Sequence, residues 1–268
     1  MINEVTENEK RFVVISDLHF GYRDASLTDK GTVDAFLGEL EELDGIDELI
    51  LLGDVFDFWV ARPYDAINNS KLFFSGLRDF ILEKDSETKI VYIFGNHDPQ
   101  VCPGDLSEMA VNGVWGRLLR GVKCEAYPEY VKSVNDNVFH FIHGHHFDRL
   151  QLIDPSFGVK LTIPKTINGI SSMANRVFRY MSVKEQYQTI LKFMEDNRMK
   201  TDFFIYGHTH RAGSYSEIGK VVAINSGSWV EGHWKSRRKV QSNTYVVIDD
   251  EITIKSLGEK TISRLNIN

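Results

Sequence analysis

Asp17 and His19 lie two residues apart, Asp54 and Asp57 three apart, and Asn96, His97 and Asp98 in a row. His143 and His145 are again two apart, as are His208 and His210. Carboxylate and amide oxygens are hard donors, and imidazole nitrogen is a borderline one. A mixture of the two suits a pair of divalent first-row metals, and such a pair suits the hydrolysis of a phosphate ester. Of the nine histidines, His19, His97, His143, His145, His146, His208 and His210 fall in these blocks; His140 and His233 do not. Histidines scattered through a core would not cluster in this way. A single Asp in a strand-end loop is ordinarily a cap or turn former, but five such blocks need one common explanation.

Whatever holds these groups must bring separated stretches together. Each block follows a short apolar, β-rich run, at residues 11–15, 49–52, 90–94, 138–142 and 203–206. Such runs, closed at Gly53, Gly95 and Gly207 in three cases, read as buried strands leaving a sheet. Open α/β sheets place their ligand sites outside the C-terminal ends of strands, so the donors would meet at one edge. Between the runs, Val33, Phe36, Leu37, Leu40 and Leu43 recur at helical spacing, with Gly45 as a stop. A loop holding Pro63, Asn68 and Asn69 is expected next, then an amphipathic helix through Leu72, Phe73, Leu77, Phe80 and Ile81. This alternation predicts the α/β class with a largely parallel sheet. Short strands are expected at 221–225, 244–248 and 252–256.

Between His145 and Phe203 the pattern turns helical. Ile163, Ile167, Ile170, Ala174, Val177 and Met181 make one stripe, with Pro164 in its first turn. Ser182 to Glu185 forms a capping box for a second helix carrying Tyr187, Ile190, Leu191 and Met194. Two fates are open. The stripes pack on the core, or they rim the site, with Ile167, Ile170, Met173, Phe178 and Met181 lining an apolar pocket.

Taken in order, Asp-x-His, Gly-Asp-x-x-Asp, Gly-Asn-His-Asp, His-Gly-His and Gly-His-x-His resemble the motif series of the calcineurin-like metallophosphoesterases. The match runs over roughly residues 11 to 230. It implies a four-layer α/β/β/α sandwich, one domain over residues 1–268 with a helical insertion around 150–200. It also implies an enzyme with two divalent metal ions, manganese first, with iron or zinc as alternatives. Asp17, His19 and His210 would hold one metal, and Asn96, His143 and His208 the other, with Asp54 bridging both. A carboxylate can bridge because it offers roughly four lone-pair sites. A metal-activated hydroxide would then attack the phosphorus of a phosphodiester or pyrophosphate. His97 resembles the family's catalytic histidine, which protonates the leaving oxygen or binds the phosphate, and Asp98 would orient it by a charge-assisted hydrogen bond. Asp57 would steady a metal-bound histidine or its loop. For His145, metal contact through its carbonyl, a supporting role and neither all stay open.

The block Gly-Asp-Val-Phe-Asp-Phe-Trp from Gly53 to Trp59 is similar to one in the UDP-2,3-diacylglucosamine diphosphatases. Those enzymes also place helices between the fourth and fifth motifs, where they shelter acyl chains. That branch reads Asn-Arg-Asp where this chain has Asn96-His97-Asp98, the general form. Phe58 and Trp59 also have a plainer reading as core packing beside the loop. A nucleoside-diphosphate lipid such as UDP-2,3-diacylglucosamine is thus one expected substrate; a nuclease or broad-specificity phosphodiesterase is the alternative. Lys235, Arg237, Arg238 and Lys239, near Trp229 and Trp234, could grip a phosphate backbone, although a solvated basic loop explains them better in so acidic a chain. A non-catalytic binding module is a third reading, and the intact donor set argues against it.

Composition narrows the setting. With 38 acidic and 31 basic residues the net charge is −7, which argues against a stable nucleic-acid partner. Hydrophobic residues make up 42% and charged residues 26%, as in an ordinary globular protein with a full core. Cys102 and Cys124 match no zinc-ribbon spacing, and a reducing compartment is their simplest context. The first ten residues are polar and acidic, unlike a signal peptide, and no run approaches the ~20 apolar residues of a membrane span. A cytoplasmic location is expected, with peripheral membrane association left open. The oligomeric state is not legible.

Overall fold

The computed structural model describes residues 10–43, 45–84, 87–98, 113, 116–134, 136–147, 183–231, 241–259 and 261–267. In chain order the elements are β1 (Arg11–Ile15), α1 (Lys30–Glu41), β2 (Ile46–Leu52), α2 (Pro63–Glu83), β3 (Lys89–Ile93), β4 (Cys124–Tyr127), β5 (Tyr130–Val134) and β6 (Asn137–Phe141). They continue with α3 (Val183–Asp196), β7 (Phe203–Tyr206), β8 (Gly213–Ser216), β9 (Val222–Asn225), β10 (Thr244–Ile248), β11 (Glu251–Ser256) and β12 (Ser263–Asn266).

Two sheets result. The first has the order β12-β11-β10-β1-β2-β3-β4, with β1 to β4 parallel and the β10–β12 half antiparallel. The second has the order β5-β6-β7-β9-β8, in which β6, β7 and β9 are parallel. The parallel strands are apolar on both faces because both faces are covered. Phe12, Val14, Ile50, Leu52, Val91 and Ile93 meet Phe139, Phe141, Phe203, Ile205 and Ile224 of the second sheet. Their strand neighbours Val13, Ile15, Leu49, Leu51, Ile90 and Tyr92 face the other way, onto α1 and α2. This is the period-two alternation of a strand, and each fully buried aliphatic contributes roughly 1.5–3 kcal/mol. Helix α3 covers the outer face of the second sheet. The layers are therefore α/β/β/α.

Helix α1 begins where the Asp29 carboxylate accepts from Thr32 N (2.9 Å). Helix α2 starts earlier than expected: Pro63 is its first residue, and Asn68 and Asn69 lie inside it. Proline's fixed φ suits a first helical turn, and the buried stripe Ala66, Ser70, Phe73, Phe74, Leu77, Phe80 and Ile81 outweighs the turn preference of two asparagines. Tyr187, Ile190 and Met194 of α3 pack against Phe147, Phe204, Tyr206, Val221 and Ala223. For this helix, core packing is the outcome. The expected helix around 163–181, Cys102, His233, Trp234 and the basic run at 235–239 lie outside the described residues. Among the described residues no helix is long and apolar enough to cross a membrane.

Candidate functional site

Strands β1, β2, β3, β6 and β7 all end at one edge of the sandwich, and their next residues carry the donors. Asp17, His19, Asp54, His208 and His210 have φ between 49° and 64°, in the left-handed region. Non-glycine residues rarely adopt it, and such strain gathers at functional sites. Backbone bonds stitch the strand ends together: Asp17 N donates to Gly53 O (3.0 Å), His19 N to Asp54 O (2.9 Å) and Gly207 N to His143 O (3.0 Å). Gly53, at φ 83°, has no room for a side chain, since a Cβ there would sit 2.5 Å from the His143 ring. A Cβ on Gly95 would likewise collide with Asp54.

The two central carboxylates are held alike. Asp17 Oδ2 accepts from His208 N (2.9 Å), and Asp54 Oδ1 accepts from His97 N (2.8 Å). Each thereby aims its second oxygen at imidazoles. Asp17 Oδ1 lies 3.1 Å from His210 Nε2 and 3.8 Å from His19 Nε2. Asp54 Oδ2 lies 3.1 Å from His143 Nε2 and 3.7 Å from His19 Nε2. His143 Nδ1 donates to Leu52 O (2.9 Å), which turns its Nε2 inward. Asp17, Asp54 and His143 are buried, as are His19, Asn96, His208 and His210.

Two groups of donors stand close enough to hold an ion each: Asp17, His19 and His210, and Asp54, His143 and His208. A third combination, His19, Asp54 and His97, overlaps both. Whether cations fit can be judged from the buried polar atoms. Asp17 Oδ1, Asp54 Oδ2, His143 Nε2 and both amide atoms of Asn96 make no hydrogen bond. Buried polar groups are nearly always satisfied, and three of these atoms, Asp17 Oδ1, Asp54 Oδ2 and His143 Nε2, belong to residues of the donor groups. The residues fit divalent cations.

Electrostatics agree. Burial would raise the Asp17 and Asp54 carboxyls, but His210 and His143 beside Asp17, and His143 and His97 beside Asp54, hold both well below the usual carboxylate range. Burial opposes charge on His19 too, and the neighbouring carboxylates of Asp17, Asp57 and Asp54 reverse that, to about 10. His143 rises to about 9, against burial, through Asp54 and Asp17. Such charge pairs are what metal ligands become when protons take the place of metal. His145 behaves oppositely: burial and the neighbouring His146 and His143 push it down to about 2.

His97 stands at the rim. Its Nδ1 lies 3.0 Å from Asp57 Oδ1, while Asp57 Oδ2 lies 3.2 Å from His19 Nδ1. One carboxylate thus spans both imidazoles, joining the expected metal ligand to the expected acid. This corrects the expectation for Asp98. Its Oδ1 accepts from Phe56 N (2.9 Å) and its Oδ2 from Gly95 N (2.8 Å), so it fixes the two loops. Burial, with Asp54 nearby, pushes the Asp98 carboxyl up to about 6.

Other supporting residues had gone unread. Asn225 Nδ2 donates to Gly207 O (2.8 Å) and Thr209 Oγ1 (2.9 Å), bracing the loop of His208 and His210. The signal was present: residues 221–225 are one more apolar run stopping at Asn. Gln186 of α3 reaches the same loop, its Oε1 accepting from Thr209 Oγ1 (3.5 Å) as well as from Tyr206 Oη (3.3 Å). Phe58 packs on Phe56, as a core reading predicts, but Trp59 lies flat on His97 with 4.2 Å between centroids.

The calcineurin-like phosphoesterase profile matches residues 10–212 of the 268. The chain belongs to that family, a class of metal-dependent phosphoesterases whose membership implies a dinuclear divalent metal site. Among solved structures, it is similar to a dimetal phosphatase from Danio rerio (12% identity, TM-score 0.48, covering 97% of this chain and 99% of that one). It is also similar to zinc-bound Vps29 from Entamoeba histolytica (15%, 0.45, 96% and 99%) and to nuclease MPE from Pseudomonas putida (15%, 0.34, 88% and 83%). No curated protein matches the chain.

Proposed function

We propose that this protein hydrolyses a phosphodiester or pyrophosphate bond, with Asp17, His19, His210 and Asp54 holding one divalent cation and Asp54, Asn96, His143 and His208 a second. The observation that carries this reading is the set of buried carboxylate, amide and imidazole atoms left without hydrogen bonds at one strand edge. Manganese is the metal proposed, with iron or zinc as alternatives. When bound, the cations supply Lewis-acid charge and an acidified water.

The chain's own residues do the rest. Backbone N–H groups of His208 and His97 keep Asp17 and Asp54 in register, so the donors are set before substrate arrives. Asp57 accepts from His97 Nδ1, which leaves Nε2 as the nitrogen that delivers a proton to the departing oxygen. Asp57 also fixes the ring of His19, so acid and metal site share one support.

The Gly53–Trp59 block favours a nucleoside-diphosphate lipid among the substrates. Helix α3 lends that idea no help, because its stripe is spent on the second sheet. A general phosphodiesterase is therefore the broader reading. A cytoplasmic setting fits the free thiol of Cys124. The test is a manganese-supplemented panel of UDP-diacylglucosamine, single-stranded DNA and bis-p-nitrophenyl phosphate, run on wild type and His97→Ala. Wild type should turn over at least one. His97→Ala should lose roughly 10²–10⁴-fold on poor leaving groups and less on p-nitrophenolate, which needs little protonation. Inactivity on all three, with metal loaded, would sink the proposal.

A further inference from the structure

Trp59 is a large aromatic side chain stacked on the site that the reaction does not use. It is 53% exposed, yet it is held firmly: its backbone N–H donates to Asp57 Oδ1 (3.2 Å), and Phe58 N donates to His97 O (3.2 Å). The indole lies over the His97 imidazole at 4.2 Å and 25° between ring planes. The same imidazole has His19 edge-on at 4.9 Å and Asp57 on Nδ1. Trp59 therefore covers one face of the ring, and the carboxylate claims one nitrogen. Val60 and Tyr64, close by in the chain, are 62% and 76% exposed. An indole seated on one ring and half in water presents an aromatic π-face, which takes a flat ring best.

We infer that Trp59 is a substrate-binding platform that stacks a planar ring, aryl or nucleobase, carried by the ester group leaving beside His97. The inference rests on the phosphohydrolase reading for where the phosphorus sits, and it specifies the substrate class. The group that leaves must emerge beside the nitrogen that protonates it, and Trp59 floors that exit. A ring stacked there gains binding from a surface already in place, at little ordering cost. A flexible acyl chain has no face to match.

The test is equilibrium binding of phenylphosphonate, methylphosphonate and hexylphosphonate to the manganese-loaded protein, for wild type, Trp59→Ala and Trp59→Phe. Wild type should bind phenylphosphonate roughly tenfold tighter than methylphosphonate, the range of one stacked ring. Trp59→Ala should erase that preference, and Trp59→Phe should keep most of it. No ring preference in wild type, or one that survives Trp59→Ala, overturns the inference. So does a hexyl group that gains as much from Trp59 as the phenyl. Hydrolysis of methyl phenyl phosphate by wild type is read separately. A protein that prefers the ring but hydrolyses nothing keeps the platform and sinks the reaction; an active enzyme indifferent to the ring does the reverse.

Discussion

Strand β2 carries a buried carboxylate near its start and another just past its end, and the two are treated in opposite ways. Glu48 Oε1 receives Tyr130 Oη and Lys132 Nζ at 3.0 Å each, with Lys89 Nζ at 3.3 Å. These come from β3 and β5, so the charge ties the two sheets together. Asp54, six residues on, meets imidazoles in place of ammonium groups and stands in left-handed backbone. One end of the strand spends its charge on cohesion between the sheets, and the other sets it among imidazoles at the proposed metal site. Stability and function are thus separated along about 20 Å of chain, the reach of six extended residues.

The sharpest way to break the comparison is Asp54→Ala. It should remove both metals and all measurable turnover, and the metal-free protein should lose thermal stability, because the protonated His143 and His19 are left without that carboxylate. Metal retained at normal content in that variant would show the bridge assignment to be wrong. Next is Asp57→Asn, which should lower turnover or metal affinity roughly 10–100-fold, the usual cost of losing a group that orients a ligand. Asp98→Asn, which leaves the partner of His97 in place, should cost turnover less. The reverse order would restore Asp98 as the orienting residue.

At the other end, Glu48→Ala should cost about 1.5–3 kcal/mol of unfolding free energy, the range for hydrogen bonds to a charged group, with metal content unchanged. Denaturant titration and metal analysis on one preparation read both. A smaller effect again is expected from pH. His19 and His143, at about 10 and about 9, are protonated in the metal-free protein at neutrality. Their contribution to metal-free stability is complete below their ordinary range and fades as pH rises through about 9 and about 10. Loading metal must expel those protons, so affinity falls as pH falls, and calorimetry in two buffers at pH 7 should find about two protons released. Uptake with no release would contradict the assignment of both histidines.

The donor blocks were legible because their chemistry is concentrated and each follows an apolar run. Asp17, His19, Asp54, Asn96, His143, His208 and His210 could be read one motif at a time, and the structure gathers them at one edge. What could not be read was which carboxylate would face which imidazole. Asp98 is next to His97 in the chain, but Asp57 is beside it in space, because Asp98 is turned away to accept Phe56 N and Gly95 N. The strands β4, β5, β8 and β12 also went unread. They carry mixed, half-buried residues such as those of Cys124–Tyr127 and Ser263–Asn266, so they lack the apolar run that marked β1 to β3. Trp59 was ambiguous for a similar reason: an aromatic beside a loop has the same sequence signature whether it packs inward or lies on the imidazole of the proposed acid.

The central claim is that the strand edge beyond Asp54 is a two-metal centre. Anomalous scattering at the manganese edge, from crystals of the metal-loaded protein, tests it most directly. The account predicts two peaks on either side of Asp54, one against Asp17, His19 and His210 and one against Asn96, His143 and His208. A single peak, or a pair held by other residues, would contradict it.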